Sequence, residues 1–452
     1  MTQGTNPPET HANNMTIGAP SRAILKFAIP LILGYLLQQM YLIIDAAIVG
    51  RWIGVGALAA VGASSSIMFL IMGFCNGSCA GFAIPVAQAF GAGDYHKMRC
   101  YVSNALRIAV VLAVVITLLS CVLCDRILKL VNTPVDIFHD AYVFLFLQFC
   151  TIPFTIAYNL YAGQIRALGN SKQPFYFLIV SSLLNILLDV VLILGFRMGV
   201  EGAGIATFLS QAFASWLCWR FIQRRMTMLI PRGNERAFDN KKISILLNNG
   251  VPMGLQFSIT AVGIIMLQSA NNALGTIYVA SFTAAIRIKY LFTCVLENIG
   301  VAMATYCGQN IGAGKIGRVK TGVRDAMGMM MVYFVLTVAL IYPFADDMMA
   351  LFVNADEHAQ LMRIANWFYP ALGMLVILRY SIQGLGYSNL SLMSGVMEMI
   401  ARCGVSLWMV PALAWLGVCY ADPVAWCMAD VFLIPAFFWL LRRLRRHLPK
   451  QV

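Results

Sequence analysis

The sequence predicts an all-α polytopic membrane protein with twelve transmembrane helices, in two six-helix lobes related by pseudo-two-fold symmetry along the membrane normal. Three observations predict this class. The 452 residues are 60% hydrophobic and only 11% charged, the apolar residues fall in long runs, and the second half of the chain repeats the first. A soluble globule of this size needs far more polar surface, so the composition excludes one.

The apolar runs predict the individual helices. A helix needs about 20 mostly apolar residues to cross the hydrocarbon core of a bilayer. Each of the twelve runs therefore predicts one span. The runs start near residues 24, 56, 103, 138, 174, 203, 245, 278, 324, 362, 391 and 423.

Lys and Arg residues concentrate on every second predicted loop, which predicts that both termini are cytoplasmic in a bacterial-type inner membrane. The net charge of +13 is accounted for by this topology and by anionic lipid, so no nucleic-acid partner is expected. The predicted segments are a polar tail (1–20) that lacks signal-peptide features, a first lobe (21–222), a linker (223–242), a second lobe (243–441) and a basic tail (442–452).

An internal repeat divides the chain. The segment "QAFGAGDYHKMRCYVSNA" from Gln88 aligns without gaps on "QNIGAGKIGRVKTGVRDA" from Gln309, an offset of 221 residues. Each copy holds six predicted spans. Because six is even, both copies have the same orientation, and a transport pathway is expected between them.

Several motifs, in the same order along nearly the whole chain, resemble the multidrug and toxic compound extrusion (MATE) family. They are "IPLILGYLLQQMYLIIDAAIVGRWIGVGALAAVG", "AQAFGAGD", "GQIRALGNSKQP" and "GQNIGAGK". The resemblance implies two six-helix lobes around a central cavity. It also implies export of amphipathic, often cationic small molecules against an inward flow of protons or sodium ions.

Acids inside predicted spans are candidates for function, because each costs about 2.5 to 3.5 kcal/mol on insertion scales. Helical spacing places Gln38, Tyr41 and Asp45 on one face of span one, and Asn185 with Asp189 on one face of span five. Such oxygens suit a small cation, and two close carboxylates can instead share a proton. The spacing alone leaves a structural hydrogen bond between helices equally open.

The resemblance favours a coupling site. In the DinF-like branch of the family, the ion-coupling cluster combines an Asp in span one, an Asn and Asp four apart in span five, and a Thr in span six. Asp45, Asn185, Asp189 and Thr207 match these positions and are also the candidate ligands for Na⁺, while Asn159 fits a further polar position in span four. The acids that the NorM-like branch carries in spans seven and ten are absent here.

Other polar residues in spans have different interpretations. Glu398 and Arg402 are four residues apart and predict a structural ion pair. Glu297 is a candidate for contact with a cationic substrate, and Gln38, Tyr41 and Gln211 are candidates for lining the cavity. No sequence feature provides a partner for Asp430.

The expected function is secondary active multidrug antiport by a monomer, without an organic cofactor. The alternative is a flippase for a lipid-linked precursor, which shares the duplicated fold but is expected to have a strongly cationic cavity. An enzyme is not expected, since Asp346 and Asp347 form the only adjacent acidic pair and lie in a predicted outer loop. A Walker-type loop for ATP is also absent.

Overall fold

The computed structural model describes residues 12–130, 133–350 and 359–447, and within these ranges every regular element is a helix. The α-helices are α1 (Pro20–Ile48), α2 (Val55–Gly91), α3 (Tyr95–Leu130), α4 (Val135–Ala167), α5 (Lys172–Asp189), α6 (Val200–Arg225), α7 (Asn240–Asn272), α8 (Thr276–Gly312), α9 (Ile316–Ala350), α10 (Gln360–Trp367), α11 (Tyr369–Gly384), α12 (Ser388–Gly404), α13 (Val410–Leu413) and α14 (Trp415–His447). Three π-helical segments follow α1, α5 and α12; they are Val49–Ile53, Val190–Gly195 and Val405–Met409.

The helices have the lengths that membrane spans require. Ten stretches among the described residues are long and apolar enough to cross a bilayer, and α10 with α11 forms an eleventh as a bent pair. The remaining helix, α6, is 26 residues long but less apolar, because Thr207, Ser210, Gln211 and Ser215 interrupt its hydrophobic run. The predicted all-α polytopic class is confirmed.

Two local predictions were wrong. The run near residue 362 is not one straight helix, because α10 and α11 meet at an angle of 53°. Pro370 lies in the first turn of α11, where a helix tolerates proline but the preceding residue disfavours helical geometry. Asp346 and Asp347 lie within α9, not in a loop.

The repeat predicted from the sequence reappears in the helix boundaries. Helices α2 and α8 both contain 37 residues and start 221 residues apart, and α3 and α9 start at the same offset. The turns before and after α2 use Gly54 (φ 128°) and Gly93 (φ 72°), and those around α8 use Gly275 (φ 118°) and Gly314 (φ 72°). Positive φ strongly favours glycine, so the repeat preserves the residues that reverse the chain.

The chain divides into two compact units. The first contains residues 1–14 and 33–247, and the second contains residues 15–32 and 248–452. The boundary therefore differs from the predicted first lobe of 21–222, because the first turns of α1 pack with the second unit. Ile24, Phe27 and Ala28 are buried in the second unit's core.

Helix α3 illustrates how the first unit meets lipid. Its Ala105, Ala109 and Ala113 are buried, whereas large apolar residues on other faces are exposed. Small residues let neighbouring backbones approach closely, and the exposed aliphatic side chains suit a hydrocarbon solvent. The exposed residues are Val110, Val111, Val114, Val115, Leu118, Leu119 and Val122.

A short loop joins α6 to α7, from residue 226 to residue 239. Arg99, at the start of α3, donates to both carboxylate oxygens of Glu235 in this loop, at 2.6 and 2.7 Å. Glu235 also accepts from the backbone N–H of Arg232 at 2.8 Å. The side-chain hydrogen bond from Arg99 lowers the pKa of Glu235, so this loop is fixed to the first unit by a charge-assisted contact.

Candidate functional site

Three helices of the first unit bring the predicted coupling residues together. Helix α1 provides Tyr41 and Asp45, α5 provides Asn185 and Asp189, and α6 provides Thr207. Close packing of α6 depends on Gly204: a Cβ there would lie 2.6 Å from Leu147 Cδ1 of α4. A larger residue would push α6 away from α4 and disturb the position of Thr207.

The two acids form a carboxyl pair. Asp45 and Asp189 are within hydrogen-bonding reach of each other, although they lie on different helices. Asp189 is fully buried and Asp45 is partly buried. Two carboxyl groups can form such a bond only when one carries a proton, because two carboxylates offer acceptors alone. This contact therefore holds one proton between the two helices.

Asn185 connects the carboxyl pair to α6. The hydrogen-bonding surroundings determine the orientation of its amide. Its Nδ2 donates to Asp189 Oδ2 at 3.1 Å, and its Oδ1 accepts from the backbone N–H of Thr207 at 3.2 Å. The spacing of four residues in α5 thus produces an amide that directs Asp189 and reaches a second helix at once.

Tyr41 and Thr207 form the other side of the site. The Tyr41 hydroxyl is hydrogen-bonded to the Thr207 hydroxyl and lies close to both aspartates. Thr207 Oγ1 donates its own proton to the backbone oxygen of Ala203 at 3.0 Å, so Tyr41 is the donor in their contact. The cluster therefore joins α1, α5 and α6 through side chains alone.

Both acids lie just before a π-helical segment. Val49–Ile53 follows Asp45, and Val190–Gly195 starts at the residue after Asp189. The two segments pack against each other around a small apolar cluster that includes Val49 and Ile193. Wide turns of this kind are rare and occur often at functional sites. A change of charge at the carboxyl pair thus acts beside the most irregular backbone of α1 and α5.

Each aspartate retains one open oxygen. Oδ1 of Asp45 and Oδ1 of Asp189 are both buried, and neither has a hydrogen-bond partner among the described residues. With the Asn185 amide and the Thr207 hydroxyl nearby, the site offers hard oxygen atoms to a proton or a small monovalent cation. No group of three His, Cys, Asp or Glu residues in the described ranges could hold a metal ion, and this site contributes two carboxylates.

The remaining predicted members lie elsewhere. The Asn159 amide donates to Asn76 Oδ1 and to the backbone oxygen of Thr155, both at 2.9 Å, and its recorded bonds do not reach the aspartates. Gln38 is exposed, and Gln211 is partly buried one turn beyond Thr207. The spacing that placed Gln38 on the face of Tyr41 and Asp45 did not reveal that only the latter two reach the cluster.

The second unit holds a different set of buried charges. Arg402 Nη2 donates to Glu398 Oε2 at 3.2 Å, which is the predicted pair. Arg379 of α11 also bonds Glu398, and Arg402 reaches Asp422 of α14 at 3.1 Å. Lys289 of α8 bonds the other oxygen of Asp422.

Sequence reasoning missed Arg379 and Asp422. Arg379 is a lone base in the apolar run "ALGMLVILRYSIQ", and that exception was the available signal. Asp422 falls at the edge of a predicted span, where a carboxylate looks like a loop residue. Glu297, predicted to contact substrate, instead accepts a hydrogen bond from Tyr380 and lies near Arg379.

Comparisons with known proteins agree with this architecture. The family model MatE matches residues 30–191 and 252–408, which are the two halves of the repeat. The chain is 28% identical to the probable multidrug resistance protein YoeA of Bacillus subtilis over 376 residues, covering 81% of each protein. It is 27% identical to the probable multidrug resistance protein YpnP of the same organism over 416 residues, covering 90% of this chain and 91% of YpnP.

A solved structure has the same fold. The outward-facing conformation of a multidrug resistance MATE family transporter of the MOP superfamily superposes with a TM-score of 0.89. The superposition covers 98% of this chain and 100% of the other, at 21% sequence identity.

Proposed function

The chain belongs to the MatE family of transporters, and on that premise we propose that it is a secondary active antiporter that exports amphipathic, often cationic compounds in exchange for H⁺ or Na⁺. The proposal takes the substrate class from the multidrug resistance relatives. It assigns coupling to Asp45 and Asp189 of the first unit, assisted by Asn185, Thr207 and Tyr41.

One observation carries the coupling assignment. Two acids on separate membrane helices lie in hydrogen-bonding contact, and no Lys, Arg or His among the described residues forms an ion pair with either. A structural carboxylate in a membrane normally acquires a basic partner, because an uncompensated charge there is costly. A carboxyl pair without one requires a proton or a metal cation to remain stable.

The proposed cycle follows from that requirement. With a proton or Na⁺ bound, the pair is compensated and α1, α5 and α6 stay joined through Asp45, Asp189 and Thr207. Loss of the ion leaves two close negative charges that repel each other. The adjacent π-helical segments then provide the backbone that can rearrange, and a drug that binds the two arrangements with different affinity becomes coupled to the ion.

The lipid flippase alternative is not favoured. It would need basic side chains available to bind a diphosphate. In the second unit, Lys289, Arg379 and Arg402 are each bonded to an acid. Their charges are therefore already compensated within the protein.

Proteoliposomes test the proposal directly. Purified protein is reconstituted with ethidium, and efflux is followed after imposing either a pH gradient or a Na⁺ gradient, with membrane potential held at zero. We expect one of the two gradients to drive efflux against the dye gradient, and Asp45→Asn to abolish the driven component. Efflux that neither gradient accelerates, or that Asp45→Asn leaves unchanged, would contradict the antiport mechanism.

A further inference from the structure

The buried charges of the second unit do not balance. Three cations, Lys289, Arg379 and Arg402, face four acids in one network. The acids are Glu297, Glu398, Asp422 and Asp430. If all seven were ionised, one negative charge would be left uncompensated inside the membrane, where it is expensive.

Three of the four acids are well satisfied. Glu398 accepts from Arg379 and Arg402, and Asp422 accepts from Lys289 and Arg402. Glu297 accepts from the Tyr380 hydroxyl and lies in the field of Arg379. Donors of this kind stabilise the ionised form of each carboxyl group.

Asp430 is the exception. It lies on α14 with only 5% of its surface exposed, and both carboxyl oxygens are buried without a hydrogen-bond partner among the described residues. An ionised carboxylate in that position would lose its hydration and gain nothing in return, whereas a neutral carboxylic acid loses far less. The surplus proton of the network therefore belongs on Asp430.

The neighbours of Asp430 indicate how its proton could leave. Arg379 of α11 acts on it electrostatically, and Cys427 lies one turn away on its own helix. Helix α12, packed against α14, contributes Glu398 and Arg402 to the same network. Helix α10 contributes Arg363, which bonds Asp346 instead.

Glu398 has two arginine partners, so it can release one. If Arg379 turns toward Asp430, Glu398 keeps Arg402 at 3.2 Å and remains compensated. Asp430 then gains the counter-charge that it lacks here, and its proton can pass to water. The network thus has two balanced arrangements that differ by one proton.

We propose that Asp430 is a second proton-exchange site of this transporter, housed in the second unit, with Arg379 as its counter-charge. The site is separate from the carboxyl pair at Asp45 and Asp189. Its participation in transport, though not its proton binding, rests on the proposed antiport function.

Infrared difference spectroscopy tests the proton itself. A protonated carboxyl group without hydrogen bonds absorbs at the high-frequency edge of the carboxylic acid region. We expect wild-type protein to show this band at acidic pH, to lose it at alkaline pH, and to shift it in D₂O. Asp430→Asn should remove the band, while Asp189→Asn and the exposed control Asp347→Asn should keep it.

Arg379→Gln provides a second variant. Without its counter-charge, Asp430 should keep its proton, so the band should persist at alkaline pH. Identical spectra for wild type and Asp430→Asn would overturn the proposal. So would a wild-type band that responds neither to pH nor to D₂O, because such a proton would not exchange.

Proteoliposomes test coupling separately. At zero membrane potential, each coupled proton raises the sustainable dye ratio about tenfold per pH unit of gradient. Asp430→Asn should therefore lower that ratio about tenfold at a gradient of one unit, and Asp347→Asn should not. An unchanged ratio in Asp430→Asn would overturn the coupling role. A lowered ratio in Asp430→Asn together with normal efflux in Asp189→Asn would instead contradict the proposed function of the first unit and leave this site standing.

Discussion

Asp189, the last residue of α5, is fully buried and hydrogen-bonded to Asp45 of α1, with one proton implied between them. This contact connects helices that are far apart in sequence. It also depends on a bound ion, which ordinary packing does not, and the first predictions follow from that difference.

Asp189→Asn should leave the protein folded and inserted but abolish gradient-driven efflux. The amide has the shape of the neutral acid, so it preserves the contact with Asp45 while it can no longer release a proton. Ethidium efflux from proteoliposomes measures the effect. The matched control is Asp125→Asn, whose carboxylate is exposed and pairs with Lys129. Normal driven efflux in Asp189→Asn would exclude Asp189 as the coupling acid.

Asn185→Ala should weaken ion binding without removing the coupling acid. Hydrogen bonds to charged groups contribute about 1.5–3 kcal/mol, which corresponds to roughly tenfold to a hundredfold in ion affinity. The ion concentration that gives half-maximal efflux should shift accordingly. Ser181→Ala, on the same helix, removes a hydroxyl that donates to a backbone oxygen and should produce no shift. Equal behaviour of the two variants would contradict a role for Asn185 at the site.

Tyr41→Phe and Thr207→Val should not be additive. Each removes one member of the same hydrogen bond, so the double variant should lose little more efflux than either single variant. Coupling energies between contacting residues are about 0.5–3 kcal/mol. Rates from the four proteins of the cycle give the value, and Thr207→Ser should restore function. Strict additivity would mean that the two hydroxyls act independently.

Gly204→Ala should destabilise the first unit by about 1–3 kcal/mol, since its new methyl group would overlap Leu147. Thermal unfolding in detergent measures the loss. Leu147→Ala in the same protein should recover part of it by making room. Gly328→Ala is the control, because no atom lies within 4 Å of the position where its Cβ would be built. Equal unfolding temperatures for Gly204→Ala and Gly328→Ala would show that the helices tolerate the overlap.

Glu235→Gln should lower the free energy of unfolding at neutral pH by about 1.5–3 kcal/mol. Arg99 lowers the pKa of Glu235. The contact therefore contributes stability above the ordinary glutamate pKa of about 4.3, and that stability is lost as pH falls through the folded-state value. Unfolding temperatures over an acidic pH series should flatten in the variant. The exposed Glu201→Gln should retain the wild-type slope.

The sequence was most informative where a local repeat or period determines structure. The offset of 221 residues predicted that helices starting at Val55 and Tyr95 would have copies starting at Thr276 and Ile316. Likewise the four-residue spacing of Asn185 and Asp189 predicted a shared face, because one turn of helix determines it.

The contacts between helices were not predictable in the same way. Arg379 and Glu398 lie on different helices, and no spacing relates them. Asn159 matched a family position, yet its amide pairs with Asn76, a choice made by the packing of α2 against α4. The break between α10 and α11 had a visible cause in Pro370, but the hydrophobic run across it concealed the bend.

The π-helical segments after α5 and α12 have a consequence for ancestry. They occupy equivalent places in the two halves, yet only the first is preceded by an acid, since Ser406 stands where Asp189 would be. A gene that duplicated with this wide turn already present passed it to both descendants. The difference in charge arose after the duplication, so the two copies inherited one deformable joint and then acquired different ion chemistry around it.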